Sequence, residues 1–230
     1  MLATTTPMSR PMAVLPPAAG RSAGTAPTPP APGVPRSSLS FDRGATIVRE
    51  GSPATHWYEV VSGLARTCKL LADGRRSIGE FLLPGDVFGF ELGTAHTVDV
   101  EAISPTSVVR LPLTWFGGSQ DNIQSAAARL HRVAFETVAR NNGRLLLLAR
   151  QTAQERVAGF VLEMDRRLPR KGSRIELPMT RQDVADYLCL TIETVCRTLS
   201  DLRRAGIVAV DAQHAILIRD RTGLEAAAGL

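Results

Sequence analysis

Glycine falls at short intervals through one stretch of this chain and then almost vanishes. Gly44, Gly51, Gly63, Gly74, Gly79, Gly85 and Gly89 punctuate the segment from Phe41 to about Leu113, between β-prone runs such as Trp57-Tyr58-Glu59-Val60-Val61 and Ser107-Val108-Val109-Arg110-Leu111. β-Branched and aromatic residues suit a pleated surface and glycine closes the turns between them. Turn signals spaced roughly 8 to 12 residues apart therefore predict an antiparallel barrel or jelly roll. Asp73-Gly74 has the residues of a tight hairpin turn. Past Gly118 a helical period takes over, with Ala127, Leu130, Ala134, Val138, Asn141, Leu145 and Leu148 recurring at three- and four-residue steps. A stripe held over about 30 residues is long for a globular helix and predicts a dimer seam at Leu130, Ala134, Val138, Asn141, Leu145 and Leu148. A helix lying on its own β-domain would carry the same stripe. Gly143 costs such a helix about 1 kcal/mol relative to alanine, so a bend or a close helix crossing is expected there. A further helix, from about Thr152 to Leu168, buries Val157, Phe160, Val161 and Met164 and ends at Pro169 before the basic linker Arg170-Lys171-Gly172.

Composition narrows the function classes. Hydrophobic residues make up 44% and charged residues 21%, which suits a packed soluble protein rather than a disordered chain. No apolar stretch approaches the ~18 to 20 residues a membrane helix needs, and the N-terminus lacks a secretory signal pattern, so a cytoplasmic location is expected. Residues 1 to 38, rich in Pro, Ala, Thr and Ser without apolar periodicity, are expected to be a disordered arm. Cys68, Cys189 and Cys196 are an odd number without C-x-x-C spacing, which indicates neither a disulfide framework nor a metal site. The net charge of +5 invites a nucleic-acid partner, although Arg10, Arg21 and Arg36 of the arm supply three of those charges. Only Lys69 and Lys171 of the 27 basic residues are lysine. Arginine suits bidentate contacts to phosphate and guanine, and codon bias would produce the same usage.

The functional motif lies near the C-terminus. Thr180-Arg181-Gln182-Asp183 is a helix start, with Thr180 able to cap and Asp183 to complement the dipole, and Val184, Ala185 and Leu188 follow as an inward face. The chain turns through Cys189-Leu190 and restarts at Thr191, which can cap a second helix carrying Val195, Leu199 and Leu202. Two short helices joined by a tight turn are the helix-turn-helix unit, whose second helix enters the major groove. On that helix Glu193 and Arg197 stand four residues apart, on the face opposite the apolar stripe. Arg197 can fork onto guanine O6 and N7, and Glu193 can accept from a cytosine amino group, at ~1 to 3 kcal/mol of discrimination each. Ile192 lies beside them as a third base-reading candidate. Thr180, Arg181, Thr191, Thr194, Cys196, Arg203 and Arg204 are placed to meet the DNA backbone, fixing register without reading sequence. A solvated salt bridge between Glu193 and Arg197 is the plain alternative. After Gly206, Ile207-Val208-Ala209-Val210 and Ala215-Ile216-Leu217-Ile218 flank Asp211-Ala212-Gln213-His214 as a hairpin, the wing of a winged helix-turn-helix.

These parts predict an α+β chain: arm 1–38, an antiparallel β-roll sensory domain 39–116, a dimerisation helix 117–150 and a winged helix-turn-helix domain 151–230. In that order, and with Leu188-Cys189-Leu190-Thr191-Ile192-Glu193-Thr194-Val195-Cys196-Arg197, Glu155-Arg156-Val157-Ala158-Gly159-Phe160 and the E-x-x-x-R spacing, the chain resembles the CRP/FNR regulators over about Phe41 to Arg219. Within that family it looks most like the FixK branch, which lacks the cysteine cluster of FNR. The resemblance implies a cyclic-nucleotide-binding-like jelly roll and a homodimer that acts as a transcription activator. By the same resemblance Glu193 and Arg197 read a TTGAT...ATCAA-type palindrome, and RNA polymerase is a partner.

The chain departs from the family at several points. Cys189 stands where the family turn has glycine, at a cost of ~1 to 2 kcal/mol if it is left-handed. Cys196 replaces the usual serine. It is either an inert small side chain or an oxidisable thiol whose acid form would repel DNA phosphate. Pro84-Gly85-Asp86-Val87-Phe88-Gly89-Phe90-Glu91 keeps the shape of the cyclic-nucleotide phosphate loop, but His96-Thr97-Val98-Asp99-Val100-Glu101 offers acidic groups where that site needs arginine, so cyclic AMP is not expected. Three scattered cysteines cannot supply an iron–sulfur cluster, and no cofactor or metal is expected. Catalysis on the β-domain is the rival class. His56, His96, His131 and His214 are dispersed without metal-ligand spacing, and no enzyme is expected. The same fold with DNA binding dependent on a small ligand or a redox signal is the remaining alternative.

Overall fold

The computed structural model describes residues 37–91, 93–113, 131, 133–135, 137–145, 148, 152–168, 170–171, 174–211 and 215–230. The N-terminal half folds into eight antiparallel strands: β1 (Ser37–Phe41), β2 (Thr46–Val48), β3 (His56–Ser62), β4 (Ala65–Leu70), β5 (Arg76–Leu82), β6 (Val87–Phe88), β7 (Asp99–Ala102) and β8 (Thr106–Pro112). They form two four-stranded sheets, in the orders β1-β8-β3-β6 and β2-β7-β4-β5. Exposure alternates along β1 and β7, and the inward set from both sheets, including Val48, Val60, Leu82, Phe88, Val100 and Val108, closes an apolar core. The predicted jelly roll is therefore present, with the β4–β5 hairpin turning at Asp73-Gly74. Asp73 Oδ1 accepts the Arg75 N–H there at 3.0 Å. Gly63 sits at φ +85° and a Cβ on it would lie 2.2 Å from the Pro105 carbonyl oxygen, so no side chain fits between β3 and β4.

One boundary differs from expectation. β1 begins at Ser37, inside the stretch expected to be arm, with Ser37 and Ser38 opposite Arg110 and Val109 of β8. The serines carry no apolar signal, but Leu39 and Phe41 of the same strand pack on the core, and ladder hydrogen bonds extend the strand toward the chain's start.

Helix α1 is described over 137–145, with further helical positions at 131, 133–135 and 148. α2 (Ala153–Arg167) starts at a capping box in which Thr152 accepts the Glu155 N–H and Glu155 accepts the Thr152 N–H, and ends on Arg166 and Arg167. Its buried side, including Val157, Phe160, Val161 and Met164, is the one the sequence predicts. The C-terminal domain adds α3 (Arg181–Leu188), α4 (Ile192–Arg204), β11 (Val208–Val210), β12 (Ile216–Ile218) and α5 (Arg221–Ala227). The basic stretch read as a linker instead supplies β9 (Arg170–Lys171), which pairs with β10 (Arg174–Ile175). The wing is thereby a four-stranded sheet, β11-β12-β10-β9. One hydrophobic cluster runs from Leu64, Ile78, Phe81 and Ile103 of the β-roll region through α2 into α3, α4 and α5.

Candidate nucleic-acid interface

The helix-turn-helix is built by caps and one strained residue. Thr180 Oγ1 accepts the Asp183 N–H at 3.1 Å and Asp183 Oδ2 accepts the Thr180 N–H at 3.0 Å, satisfying donors that the first turn of α3 leaves free. α3 ends at Cys189, whose φ of 53° and ψ of 47° are left-handed; it is the only non-glycine residue with positive φ among those described. The turn is closed by Leu190 N–H on the Ala185 carbonyl at 3.0 Å. Thr191 then accepts the Thr194 N–H at 3.2 Å and starts α4. Val184, Ala185 and Leu188 of α3 and Val195, Leu199 and Leu202 of α4 are buried together, as their spacing predicts.

That packing decides what α4 shows to solvent. Glu193, Cys196, Arg197 and Arg203 are exposed, Thr191 is exposed at the cap, and Ile192 and Thr194 are half-buried. Glu193 is held below the ordinary carboxylate pKa by its own backbone N–H, then by the Thr191 hydroxyl and the charge of Arg197, so it is an anionic acceptor at neutral pH. Arg197 makes no ion pair or hydrogen bond among the described residues. Arg181 opens α3, half-buried, and burial lowers its pKa; the Cys196 thiol on α4 is near enough to act on it. Thr180 has its hydroxyl oxygen engaged by the cap, while Arg204 is paired with Asp201. Glu193 and Arg197 thus share one outer face of α4 with Cys196 beside them, while Ile192 packs partly against the core and Arg181 approaches from the start of α3.

Of the expected seam, Leu130 lies outside the described residues. Ala134, Val138, Asn141 and Leu145 are exposed and Leu148 half-buried; Val138 and Leu145 leave 54% and 65% of their surface open. Among the described residues these apolar side chains, with Phe135, form an exposed face of α1. Among the described residues no helix is long and apolar enough to cross a membrane, and no group of three or more His, Cys, Asp or Glu residues could hold a metal.

Sequence reasoning missed the contacts that join this domain to the β-roll. Arg66 on β4 and Arg76 on β5 donate to the buried Asp183 at 2.5 and 2.7 Å. Arg144 of α1 donates to the Ile78 and Tyr187 carbonyls at 2.7 and 3.1 Å and to the Gly79 carbonyl, with its guanidinium 4.6 Å from the centre of the Tyr187 ring. Tyr187 in turn packs 5.0 Å from Phe81 and 5.8 Å from Phe160, ring centre to ring centre. Nothing local in the sequence signals these pairs. The residues are polar, and their partners lie far along the chain.

A β-roll tied through helices to a winged helix-turn-helix defines a DNA-binding regulator of transcription. The Crp-like helix-turn-helix domain matches residues 155–227 and the cyclic nucleotide-binding domain matches residues 38–117. The chain is 40% identical to the nitrogen fixation regulation protein FixK of Azorhizobium caulinodans over 188 residues, covering 80% of this chain and 76% of that one. It is 35% identical to the transcriptional activatory protein AadR of Rhodopseudomonas palustris over 167 residues, covering 71% and 70%. FixK2 of Bradyrhizobium japonicum superposes with a TM-score of 0.76 at 42% identity, over 84% of this chain and 97% of that structure. The chain belongs to the CRP/FNR family of transcription regulators, and its relatives there include FixK proteins.

Proposed function

We propose that the protein is a homodimeric transcription activator in which two copies of α4 read a TTGAT...ATCAA-like palindrome. The observation that carries this reading is the outer face of α4, where an ionised Glu193 and an unpaired Arg197 stand one turn apart, with the half-buried Ile192 opening the helix. A carboxylate accepts from cytosine N4 and a guanidinium forks onto guanine, which is the chemistry of a major-groove reader. Arg181, Thr191, Thr194, Cys196 and Arg203, with the hydroxyl of Thr180, are assigned to the sugar–phosphate backbone, so affinity should fall steeply with salt. The exposed apolar face of α1 supports the dimer. Pairing it would set the two recognition helices about 34 Å apart, one turn of DNA. Activation, RNA polymerase as partner and a cytoplasmic site of action are assigned by analogy with the family, and the name of the AadR relative supports the first of them.

Cyclic AMP is not its ligand on this reading. Glu91, the acid of the phosphate loop, has both carboxylate oxygens on Thr97, at 3.2 Å from its N–H and 3.0 Å from its hydroxyl. Glu101 is committed to Arg66 at 2.7 Å. A cyclic phosphate there would meet carboxylates, and the Arg66 guanidinium beside them is already engaged by Glu101 and Asp183. Cys196 lends a second, redox-dependent reading. Its thiol is exposed on the DNA face near Arg181, and oxidation by peroxide to a sulfinate would place a negative charge against phosphate.

Selection of bound fragments from random duplex DNA, in low salt with thiols reduced, tests the proposal. The wild-type chain is expected to enrich a two-fold symmetric word. Arg197→Ala is expected to lose preference for that word by ~1 to 3 kcal/mol per half-site, while eluting as the same dimer. Enrichment of the wild-type word by Arg197→Ala would remove this residue from the reading surface.

A further inference from the structure

The capping carboxylate of α3 is used twice. A capping box needs one oxygen of Asp183, and Oδ2 supplies it to Thr180. In a free-standing helix-turn-helix the other oxygen would face water. Here Asp183 is 2% exposed, and Oδ1 accepts from Arg66 Nη1 at 2.5 Å and Arg76 Nη2 at 2.7 Å. Arg76 also donates through Nε to Asp186 Oδ2 one turn along α3, at 2.8 Å, and Arg66 donates to Glu101 of β7 at 2.7 Å. Three strands of one sheet, β7, β4 and β5, are thereby joined to the first helix of the DNA-binding unit through two guanidinium forks.

The surrounding contacts converge on the same strand. Arg144 of α1 donates to the β5 carbonyls of Ile78 and Gly79, and Arg167 of α2 donates to that of Phe81 at 3.2 Å. Arg140 of α1 pairs with Glu80 at 2.8 Å. The aromatic cluster of Phe81, Phe160 and Tyr187 supplies adhesion between the halves, and apolar contact is non-directional. Charge-assisted forks are directional: planar guanidinium donors on two strands, meeting one carboxylate fixed by its own helix cap, admit few relative rotations.

We propose that Asp183, held by Arg66 and Arg76, is a positioning residue for DNA binding: it sets the angle of α3 and α4 against the β-roll, and with it the half-site spacing the dimer accepts. This rests on the DNA-reading proposal, since an angle between domains matters only if both recognition helices must meet one duplex. Asp183 touches no base in this scheme and acts through the placement of α4.

The test uses the full chain as Arg76→Ala, Arg76→Lys and Asp183→Asn. Asparagine keeps an acceptor for the Thr180 N–H and removes the charge. Binding is measured on palindromic duplexes whose half-site spacing varies one base pair at a time and on a duplex carrying one half-site, and small-angle scattering is recorded without DNA. Arg76→Ala and Asp183→Asn are expected to lose at least about tenfold at the preferred spacing, flattening the spacing profile, with under about threefold change on the single half-site. Their scattering should broaden toward larger maximum dimensions, and Arg76→Lys should restore part of both effects. Equal losses on palindrome and half-site would mean a merely structural role and overturn the proposal. So would a wild-type spacing profile together with wild-type scattering. If Asp183→Asn does not fold, Arg76→Ala decides, because Arg76 leaves a third of its side chain in solvent. A wild-type chain that binds no duplex would sink the DNA reading, and the scattering comparison would still judge the clasp.

Discussion

Replacing Cys189 by glycine should stabilise the protein. The residue ends α3 at φ 53° and ψ 47°, a conformation in which Cβ crowds the backbone. For a residue with a side chain this costs roughly 1–2 kcal/mol. Glycine removes that strain but gives the unfolded chain more freedom, which subtracts about 0.4–1 kcal/mol. The Cys189 side chain is exposed, so little packing is lost, and the cap hydrogen bond from its N–H to the Ala185 carbonyl is a backbone contact that glycine keeps. The net gain is about 0–1.6 kcal/mol, with a midpoint near ~0.8, which for a chain of this length raises Tm by up to roughly 6 °C and by about 2–3 °C at the midpoint. Calorimetry under reducing conditions, at one protein concentration because dimers melt with concentration, would measure it. Cys189→Ala is the control, since alanine keeps the left-handed strain and removes only the thiol. A Cys189→Gly protein that melts below wild type, or an alanine variant that gains as much, would refute the strain account.

Other expectations follow from the core and the thiols. Phe160→Ala empties a site 2% exposed between Phe81 and Tyr187 and should cost about 3–5 kcal/mol in urea unfolding; a loss under about 1 kcal/mol would mean the rings do not form the joint described. The Cys68 thiol is buried and pushed up to about 11, chiefly by desolvation, then by the charge of Glu101, so at neutral pH it stays protonated. Iodoacetamide at pH 7.5 should therefore modify the exposed Cys189 and Cys196 in the native protein and reach Cys68 only on unfolding, as read by mass spectrometry. Rapid native labelling of Cys68 would contradict that placement.

The parts legible in the sequence are those that local chemistry dictates. Thr152, Thr180 and Thr191 announce three helix starts, and each accepts the N–H three residues on, because a first turn must find acceptors within reach. Val195, Leu199 and Leu202 fix which side of α4 is buried, and hence that Glu193 and Arg197 face outward. The left-handed turn at Cys189 is legible as a departure from glycine. Short, weakly apolar strands were harder: β9 and β10 hold two residues each, and Arg170-Lys171 reads as a linker until Arg174 pairs with Leu217 of the wing. α5 was missed although Asp220, which accepts the Gly223 N–H, is a start signal; Gly223 in its first turn masks the helix. The Asp183 contacts could not be read at all. Arg66 and Arg76 lie 117 and 107 residues from Asp183, and only the folded sheet brings them to one carboxylate.

The hydrophobic cluster that passes from Phe81 through Phe160 and Tyr187 to Leu188 makes the edge of the β-roll continuous with the core of the C-terminal domain. Severed from the sheet, α3 would bare an aromatic patch and a carboxylate stripped of its counter-charges. The reader and its support are therefore expected to melt in overlapping transitions, which calorimetry would read. On that expectation a damaging substitution deep in β5 weakens DNA binding as one on α4 does, and the C-terminal half excised alone loses stability.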